Sequence, residues 1–475
     1  MRSPAAAPRP LRALLLTVLA CSVLLEHPRA AQQGAGPPSP PQKWTLQRAL
    51  DLPDWITVGG QFRLQFEVFD EGFRQENGGN AFLARTLFDL TLHAGPWFAT
   101  GELADSRALS TSSDLPLDTS LVNALELLQG HVGWRDQDLF AEEDEVEVKI
   151  GRQTLNLAGR RLVARQRFRN TINNFTGAYA HWGNSAGDEV HSFLFLPVRR
   201  LPTEQERLED NDPRSDDESS NVRFWGVHAK KKRAIGDADL EAYIYGLDEQ
   251  DGRDLATRNR DFVTFGTRIF RAPQPGELYA DVEVAFQTGT NRVTSSASAT
   301  EDLDHQAEFA HLTAGYQFPG ELKPRAEFVF EFASGDTDPN DDEFGRFDQL
   351  FGARRPDYGP PSTLGAFQRS NIVTPGLRFF LKPRSDIELM LQDRFFYLAE
   401  SRDVFVTTGL QDPTGASGDY LGNLVELRLR WNPDPNFGFE VGFAHIFTGS
   451  FTRDVPGSTS QGDTSFAYVT TKLTF

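Results

Sequence analysis

Arginine is the residue whose spacing in this sequence most clearly points to chemistry. The window 151–182 contains six arginines and no aspartate or glutamate, although the chain has a formal net charge of −19. A guanidinium group cannot be buried without a partner, because burying an uncompensated charge is very costly. The window therefore requires water, an anionic ligand or acids from a surrounding wall. We expect it to enter or line an aqueous lumen that passes an anion.

Two interpretations of this arginine window stay open, and they are compatible with each other. In the first, the guanidinium groups contact a transported anion, and replacing Arg152, Arg161 and Arg165 with glutamate reverses or abolishes anion preference without unfolding the protein. In the second, the arginines stabilise the wall by pairing with acids of predicted strands, namely Glu147, Asp239, Glu241, Asp281 and Glu283.

The N-terminal region is predicted to direct export. Residues 1–30 have a basic start followed by an apolar run over 13–25. That run is too short for a membrane-spanning helix, which needs about 20 residues, so we interpret 1–30 as a cleaved signal peptide. Residues 31–54 are predicted to be a linker or periplasmic segment. Cys21 is the single cysteine, so the mature chain has no disulfide with which to stabilise itself.

From residue 55 onward, apolar and polar residues alternate. Phe62, Leu64 and Phe66 fall on one face of a strand, whereas Arg63 and Gln65 fall on the other. Phenylalanine is abundant, with 38 copies against two methionines, and aromatic residues favour strands. The mean hydropathy of −0.43 does not exclude a membrane barrel, since only alternate residues of each strand face lipid.

The spacing of these segments predicts an all-β fold, namely a transmembrane antiparallel up-and-down β-barrel over 55–475. Short turns and long loops mostly alternate, which is typical of barrels with short periplasmic turns and long extracellular loops. We predict 18 strands, near 57–69, 82–94, 97–106, 124–134, 145–152, 175–183, 188–197, 221–230, 237–247, 261–271, 277–289, 306–318, 322–334, 370–381, 386–399, 421–432, 436–447 and 464–475.

The last predicted strand supports a bacterial outer-membrane location. Its apolar face ends at an aromatic residue, Phe475. Such an ending is typical of outer-membrane barrels, where the barrel-insertion machinery recognises it. Outer-membrane lipid is therefore an expected partner, and nucleic acid is not.

Four stretches resemble the alginate-export family of bacterial outer-membrane porins. They are KIGRQ at 149–153, FDQLF at 347–351, GNLVEL at 422–427 and GFAHIFTGSF at 442–451. Together with the closing strand, the similar stretches cover most of the chain after residue 55. The resemblance implies an 18-stranded barrel with an arginine-rich lumen, loops that restrict the pore, and a uronate-type polysaccharide or related organic anion as the exported substrate. Periplasmic export components are then expected partners.

The resemblance also implies which cations line the lumen or its constriction. Arginine suits this role because its planar fork binds carboxylates bidentately and stays charged. The candidates are Lys149, Arg152, Arg160, Arg161, Arg165, Arg167 and Arg169, with Arg63, Arg85, Arg325, Arg394, Arg428 and Arg430 extending the track along the wall.

Other functions are alternatives to polysaccharide export. They are a general anion-preferring diffusion porin and a non-transporting surface anchor or adhesion barrel. Acids crowd the predicted outer loops at 204–218 and 336–343, where they would repel a polyanion. We expect no enzymatic activity, no catalytic residues and no cofactor, because no serine–histidine–acid arrangement is evident. The histidines lack metal-binding spacing, so they are interpreted as strand or rim residues and no metal site is predicted.

Overall fold

The computed structural model describes residues 44–71, 73, 77–112, 115–253, 255–458 and 462–475. The predicted signal peptide at 1–30, Cys21 and the first part of the predicted linker, 31–43, lie outside the described residues. The described chain forms 20 strands and four short helices. The helices are α1 (Leu46–Ala49), α2 (Gln205–Glu209), α3 (Arg355–Tyr358) and α4 (Ser450–Asp454). In the described part of the chain, every helix is too short or too polar to cross a membrane.

Eighteen of the strands form the wall of one barrel, which confirms the predicted fold and strand number. The wall strands are β1 (Ile56–Phe69), β2 (Gly79–Ala94), β3 (Trp97–Thr111), β4 (Asn123–Gln137), β5 (Glu145–Gln153), β6 (Phe175–Gly183), β7 (Glu189–Arg199), β9 (Val222–Ile235), β10 (Ala238–Glu249), β11 (Asp261–Phe270), β12 (Leu278–Asn291), β13 (Leu303–Gln317), β14 (Arg325–Ala333), β16 (Ile372–Arg384), β17 (Ile387–Tyr397), β18 (Tyr420–Asp434), β19 (Phe437–Thr448) and β20 (Thr464–Thr474). The two remaining strands, β8 (Asp217–Glu218) and β15 (Glu343–Phe344), are two-residue additions at the rim.

The sheet closes because β1 pairs with both β2 and β20. In the closing pair, Gln61 lies opposite Thr474 and Phe69 lies opposite Phe466. Neighbouring wall strands are antiparallel throughout. Because the barrel is closed, every wall strand is paired on both sides. A lipid environment requires this pairing, since unpaired backbone groups find no water there.

Alternating side chains separate a lipid-facing surface from the lumen. On β1, Phe62 and Phe66 are exposed on the outside, whereas Arg63 and Glu67 are buried inside. The same pattern continues around the wall, with Leu377, Leu427 and other large apolar residues exposed. In a barrel, outward apolar side chains are stabilised by lipid and inward polar side chains by one another or by water.

Phe443→Arg tests this assignment of faces. Phe443 lies halfway along β19, and its side chain is 46% exposed on the outer surface. An arginine at the middle of the bilayer costs about 2–4 kcal/mol, so we expect the free energy of unfolding in lipid vesicles to fall by that amount. Denaturant titration followed by tryptophan fluorescence measures it. Phe443→Leu is the control, and an equal loss in both variants would contradict the outward placement.

The connections alternate strictly in length around the barrel. Turns of two to seven residues join strands at one rim, and loops of nine to 38 residues join them at the other. We call these the short-turn rim and the long-loop rim. The short-turn rim corresponds to the periplasmic side of outer-membrane barrels.

Two of the long loops fold against each other inside the barrel. We call 154–174 the arginine loop and 334–371 the long inner loop. Val163 and Phe351 form a parallel bridge, and the amide of Phe351 donates to the carbonyl of Leu162 at 2.9 Å. Gly352 makes this approach feasible, because a Cβ there would lie 1.6 Å from the carbonyl oxygen of Arg161. Apolar side chains of both loops join the hydrophobic cluster that fills this part of the lumen, among them Leu162, Phe347 and Phe367.

Candidate functional site

A cavity of about 930 Å³ lies inside the barrel, between the two inner loops and the short-turn rim. Asn432 and Gly438, which flank the turn at 435–436, form part of its lining, as does Lys472 near the end of β20. Ten arginines and Lys472 line the cavity, against only three glutamates. The arginines are Arg63, Arg85, Arg160, Arg165, Arg167, Arg325, Arg355, Arg378, Arg428 and Arg430, and the glutamates are Glu388, Glu426 and Glu440.

Arg63 and Arg85 attach the arginine loop to the wall. Arg63 Nη1 donates to the carbonyl of Arg167 at 2.7 Å, and its Nη2 donates to the carbonyl of Arg169 at 3.1 Å. Arg85 Nη1 donates to the same carbonyl of Arg169 at 3.1 Å. Neither arginine forms an ion pair with a carboxylate in the described residues. Their terminal nitrogens donate mainly to the loop backbone, whereas both Nε atoms are buried without a hydrogen-bond partner in the described residues.

Three other cations of the cavity lack a side-chain partner among the described residues: Arg160, Arg167 and Lys472. Arg167 is exposed and Arg160 is half-buried. Burial, together with the nearby charge of Arg167, lowers the pKa of Arg160 from its ordinary value. Removing a charge from water without a counter-charge is unfavourable, so a bound anion would relieve this cost. The electrostatics of the cavity therefore favour binding of an anion.

Most of the remaining cavity arginines are already paired. Arg165 forms a bidentate pair with Glu102, with Nη–Oε distances of 2.5 and 3.0 Å. Arg355 does the same with Glu426, at 2.6 and 3.0 Å. Glu388 neighbours Arg428 and Arg430, and Glu440 also pairs with Arg430. Glu327 pairs with both Arg325 and Arg378. Glu102 and Glu327 pair with lining arginines from outside the lining, so five carboxylates offset the eleven cations and an excess of six positive charges remains.

Arg161 does not reach the cavity. Its guanidinium is buried against the opposite wall, where it donates to Glu283 at 2.7 Å and to Asp281 at 2.9 Å. Burial alone would lower the pKa of Arg161, but Asp281, Asp357 and Glu283 together raise it well above its usual value. The pairing interpretation from the sequence therefore describes this residue, whose role is to join the arginine loop to the wall.

Arg152 lies on the opposite side of the wall from the cavity. It shares a face of β5 with Ile150, whose side chain is 67% exposed on the outer surface. Arg152 Nη2 bonds to Glu218 Oε1 at 2.9 Å and Nη1 to Glu126, close to the long-loop rim. Its position on the outward face leaves it out of the lumen lining, contrary to the expectation from the sequence.

Three more of the expected site residues also lie away from the cavity. Lys149 pairs with Glu147 at 2.8 Å and lies over the ring of Tyr179. Arg169 donates to Asn173 at 3.0 Å, and burial together with the charges of Arg200 and Arg354 lowers its pKa to about 9. Arg394 is fully buried and donates to the backbone carbonyls of Asp357 and Thr374. The cavity contains the other eight expected residues, which are Arg63, Arg85, Arg160, Arg165, Arg167, Arg325, Arg428 and Arg430.

Three cations of the cavity are not among the residues expected from the sequence: Arg355, Arg378 and Lys472. Alternation would have identified two of them. Arg378 lies between the outward-facing Leu377 and Phe379, and Lys472 precedes the outward-facing Leu473. Arg355 lies in the long inner loop, where no regular periodicity of the sequence indicates which way a side chain points.

Comparison with known proteins agrees with this architecture. A family model described as alginate export matches residues 54–465. No curated protein sequence matches the chain. Similar solved structures include Acinetobacter baumannii OccAB1, with a TM-score of 0.57 and 10% identity over 89% of this chain and 97% of that one. Pseudomonas aeruginosa OccD3 (OpdP) has a TM-score of 0.56 and 11% identity over 89% and 91% of the two chains. Pseudomonas aeruginosa OccK11 (OpdR) has a TM-score of 0.52 and 13% identity over 88% and 96%.

The closed 18-stranded wall and the family match, which covers nearly the whole chain, lead to one assignment. An outer-membrane barrel of this kind lies in lipid and serves transport, so the protein is a channel rather than an enzyme. The chain belongs to the alginate export family of outer-membrane barrels.

Proposed function

We propose that this channel selects anions that carry carboxylates, and that its substrate is a uronate-type polysaccharide moving outward across the outer membrane. The observation that carries the proposal is the cavity on the short-turn side, where eleven cations face three glutamates. An anion arriving from the periplasmic side would meet this excess of positive charge before it meets the inner loops.

The residues of the cavity are suited to carboxylates. Guanidinium groups bind a carboxylate through two parallel hydrogen bonds and stay protonated at any relevant pH. A narrow site with low-dielectric walls concentrates the field of such charges and raises the local anion concentration. Transport also requires weak and repeated contacts, and a lining with ten arginines offers many such contacts instead of one tight site.

The packing of the inner loops favours a second candidate, a diffusion channel for small organic anions. Apolar residues such as Phe347, Phe367 and Phe405 fill the lumen on the long-loop side of the cavity. A polymer needs a continuous path, so the inner loops must move to pass it. A small carboxylate could pass after a smaller displacement of the inner loops.

Ion selectivity in planar bilayers tests the proposal. We expect the reversal potential in a potassium chloride gradient to show anion preference, and uronate oligosaccharides added on the short-turn side to block the current. Neutral glucose oligosaccharides of the same length are the control, because they share size but not charge. Block by monomeric carboxylates and none by uronate oligomers would favour the small-anion channel. Cation preference, or no conductance, would contradict both.

A further inference from the structure

Three histidines form a row across neighbouring strands of the inner wall, outside the arginine-lined cavity. His181 on β6 lies directly opposite His191 on β7, which lies directly opposite His228 on β9. Their neighbours Leu194 and Val227 are exposed on the outer surface, so the histidines face inward. Glu189 lies on the same face as His191, next to the short turn 184–188.

The side chains of His181, Glu189 and His191 converge on one point. One ligand atom from each lies within 4.8 Å of the other two. The rings of His181 and His191 stack with centroids 4.7 Å apart, and His191 Nε2 lies 3.5 Å from Glu189 Oε2. In tetrahedral zinc sites the ligand atoms lie about 3.4 Å apart, so small side-chain rotations bring these three into position.

Surrounding groups orient these side chains. The hydroxyl of Tyr179 hydrogen-bonds His191 Nδ1 at 2.8 Å, which leaves Nε2 available. Lys230 donates to Glu189 Oε1 at 2.7 Å, which leaves Oε2 turned toward His191. Such outer partners fix the tautomer and direction of metal-binding side chains. Gly183 provides room, since a Cβ there would lie 3.4 Å from His181 Nε2.

His228 occupies the end of the row. Its side chain is 4% exposed, and its Nδ1 is buried without a hydrogen-bond partner in the described residues. Its ring lies 5.7 Å from that of His191, centroid to centroid, and its Nε2 lies 3.3 Å from Glu241. His228 is not among the three converging ligand residues, so it extends the row without belonging to the candidate site.

We propose that His181, Glu189 and His191 bind a divalent transition-metal ion such as Zn²⁺ on the inner wall near the short-turn rim. Two imidazole nitrogens and one carboxylate oxygen are a ligand set that zinc accepts, with the fourth position open. That position faces the lumen, because all three ligands project from the inner face of rigid strands. It would hold water or a carboxylate of a passing anion.

Isothermal titration of zinc chloride into the purified full-length protein in detergent tests the site, after treatment with a chelator. We expect one zinc per chain. Loss of even an outer partner of a ligand costs about 10–100-fold in affinity, so His181→Ala and His191→Ala should each weaken binding by about 100-fold or more. Glu189→Gln should also weaken binding, although the amide oxygen can still accept from Lys230.

His93→Ala is the matched control, since His93 is exposed on β2 and its imidazole hydrogen-bonds the hydroxyl of Thr57. It should bind zinc as the wild type does. A difference in gel migration between unheated and heated samples shows that each variant has folded as a barrel. Equal zinc affinity in the wild type and the folded His181→Ala and His191→Ala variants would overturn the proposal. So would the absence of binding by the wild type at about 1 mM zinc, the weak end of specific affinity.

Discussion

Replacing Arg160, Arg167 and Lys472 together with glutamate is expected to lower the preference of the channel for anions over cations by about tenfold or more. All three residues line the cavity, and none has a side-chain partner among the described residues. The change shifts the net charge of the cavity by six units, from an excess of six positive charges to none. Clefts of one sign concentrate counter-ions by 10-fold to 10³-fold, so most of that enrichment should disappear. The reversal potential in a salt gradient measures it.

A control with the same change of net charge is available at the short-turn rim. Lys231, Lys323 and Arg384 are exposed and absent from the cavity lining. Replacing these three with glutamate should leave the reversal potential almost unchanged at physiological salt, where exposed charges are screened within about 8 Å. If both triple variants changed selectivity equally, the net charge of the protein would be responsible, and the cavity would have no special role.

Arg369→Ala is expected to release the long inner loop and raise the conductance while the wall remains folded. Arg369 is fully buried and donates to Glu331 on β14 at 2.7 Å, to Asp357 at 3.0 Å and to the carbonyl of Arg161 at 2.8 Å. It therefore joins the wall, the long inner loop and the arginine loop. Removing one member of a buried ion pair costs about 3–5 kcal/mol, because the remaining charges lose their compensation.

Single-channel conductance and limited proteolysis measure this release. We expect larger or more frequent openings and new cleavage sites within 334–371. Arg402→Ala is the control, since Arg402 is an exposed arginine in the next long loop, 398–419. Wild-type conductance and protease resistance in the Arg369→Ala variant would show that this arginine does not retain the loop.

The barrel was predictable from the sequence because period-two alternation directly records which residues face lipid. Strand β20 was expected over 464–475 and spans Thr464–Thr474. Strand β3 was expected to end at 106 but continues to Thr111, because Ala108 and Leu109 are adjacent apolar residues and interrupt the alternation there. The alternation of apolar and polar residues is weakest where strands leave the membrane. Strand ends are therefore predicted less accurately than strand centres.

Alternation could indicate the direction of a candidate site residue only where that residue lies on a strand. Arg63, Arg85 and Arg325 reach the cavity, as alternation indicates. Lys149 and Arg152 are three residues apart on one strand, so a regular pleat cannot direct both inward, and the outward position of Arg152 follows. Within the arginine loop there is no such rule, because tertiary contacts decide which side chain enters the cavity.

The histidine row illustrates information that the sequence held but that spacing along the chain did not reveal. His181 and His191 are equally distant from Ala186 in the turn between β6 and β7, so a regular hairpin must place them face to face. Linear metal-binding motifs are defined by spacing along one segment, whereas a cross-strand pair is defined by symmetry about a turn. Pairing the predicted strands before searching for ligands would have found it.

The bridge between Val163 and Phe351 matters for anyone who would engineer this barrel as a nanopore. The amides of Ala164, Phe351 and Ala353 all find their acceptors in the other inner loop. Excising one loop would leave these backbone donors without acceptors in the loop that remains. An unpaired buried donor is unfavourable, so that loop would either change its conformation or bind water. A wider bore therefore calls for trimming both loops in a single redesign, with the wall untouched.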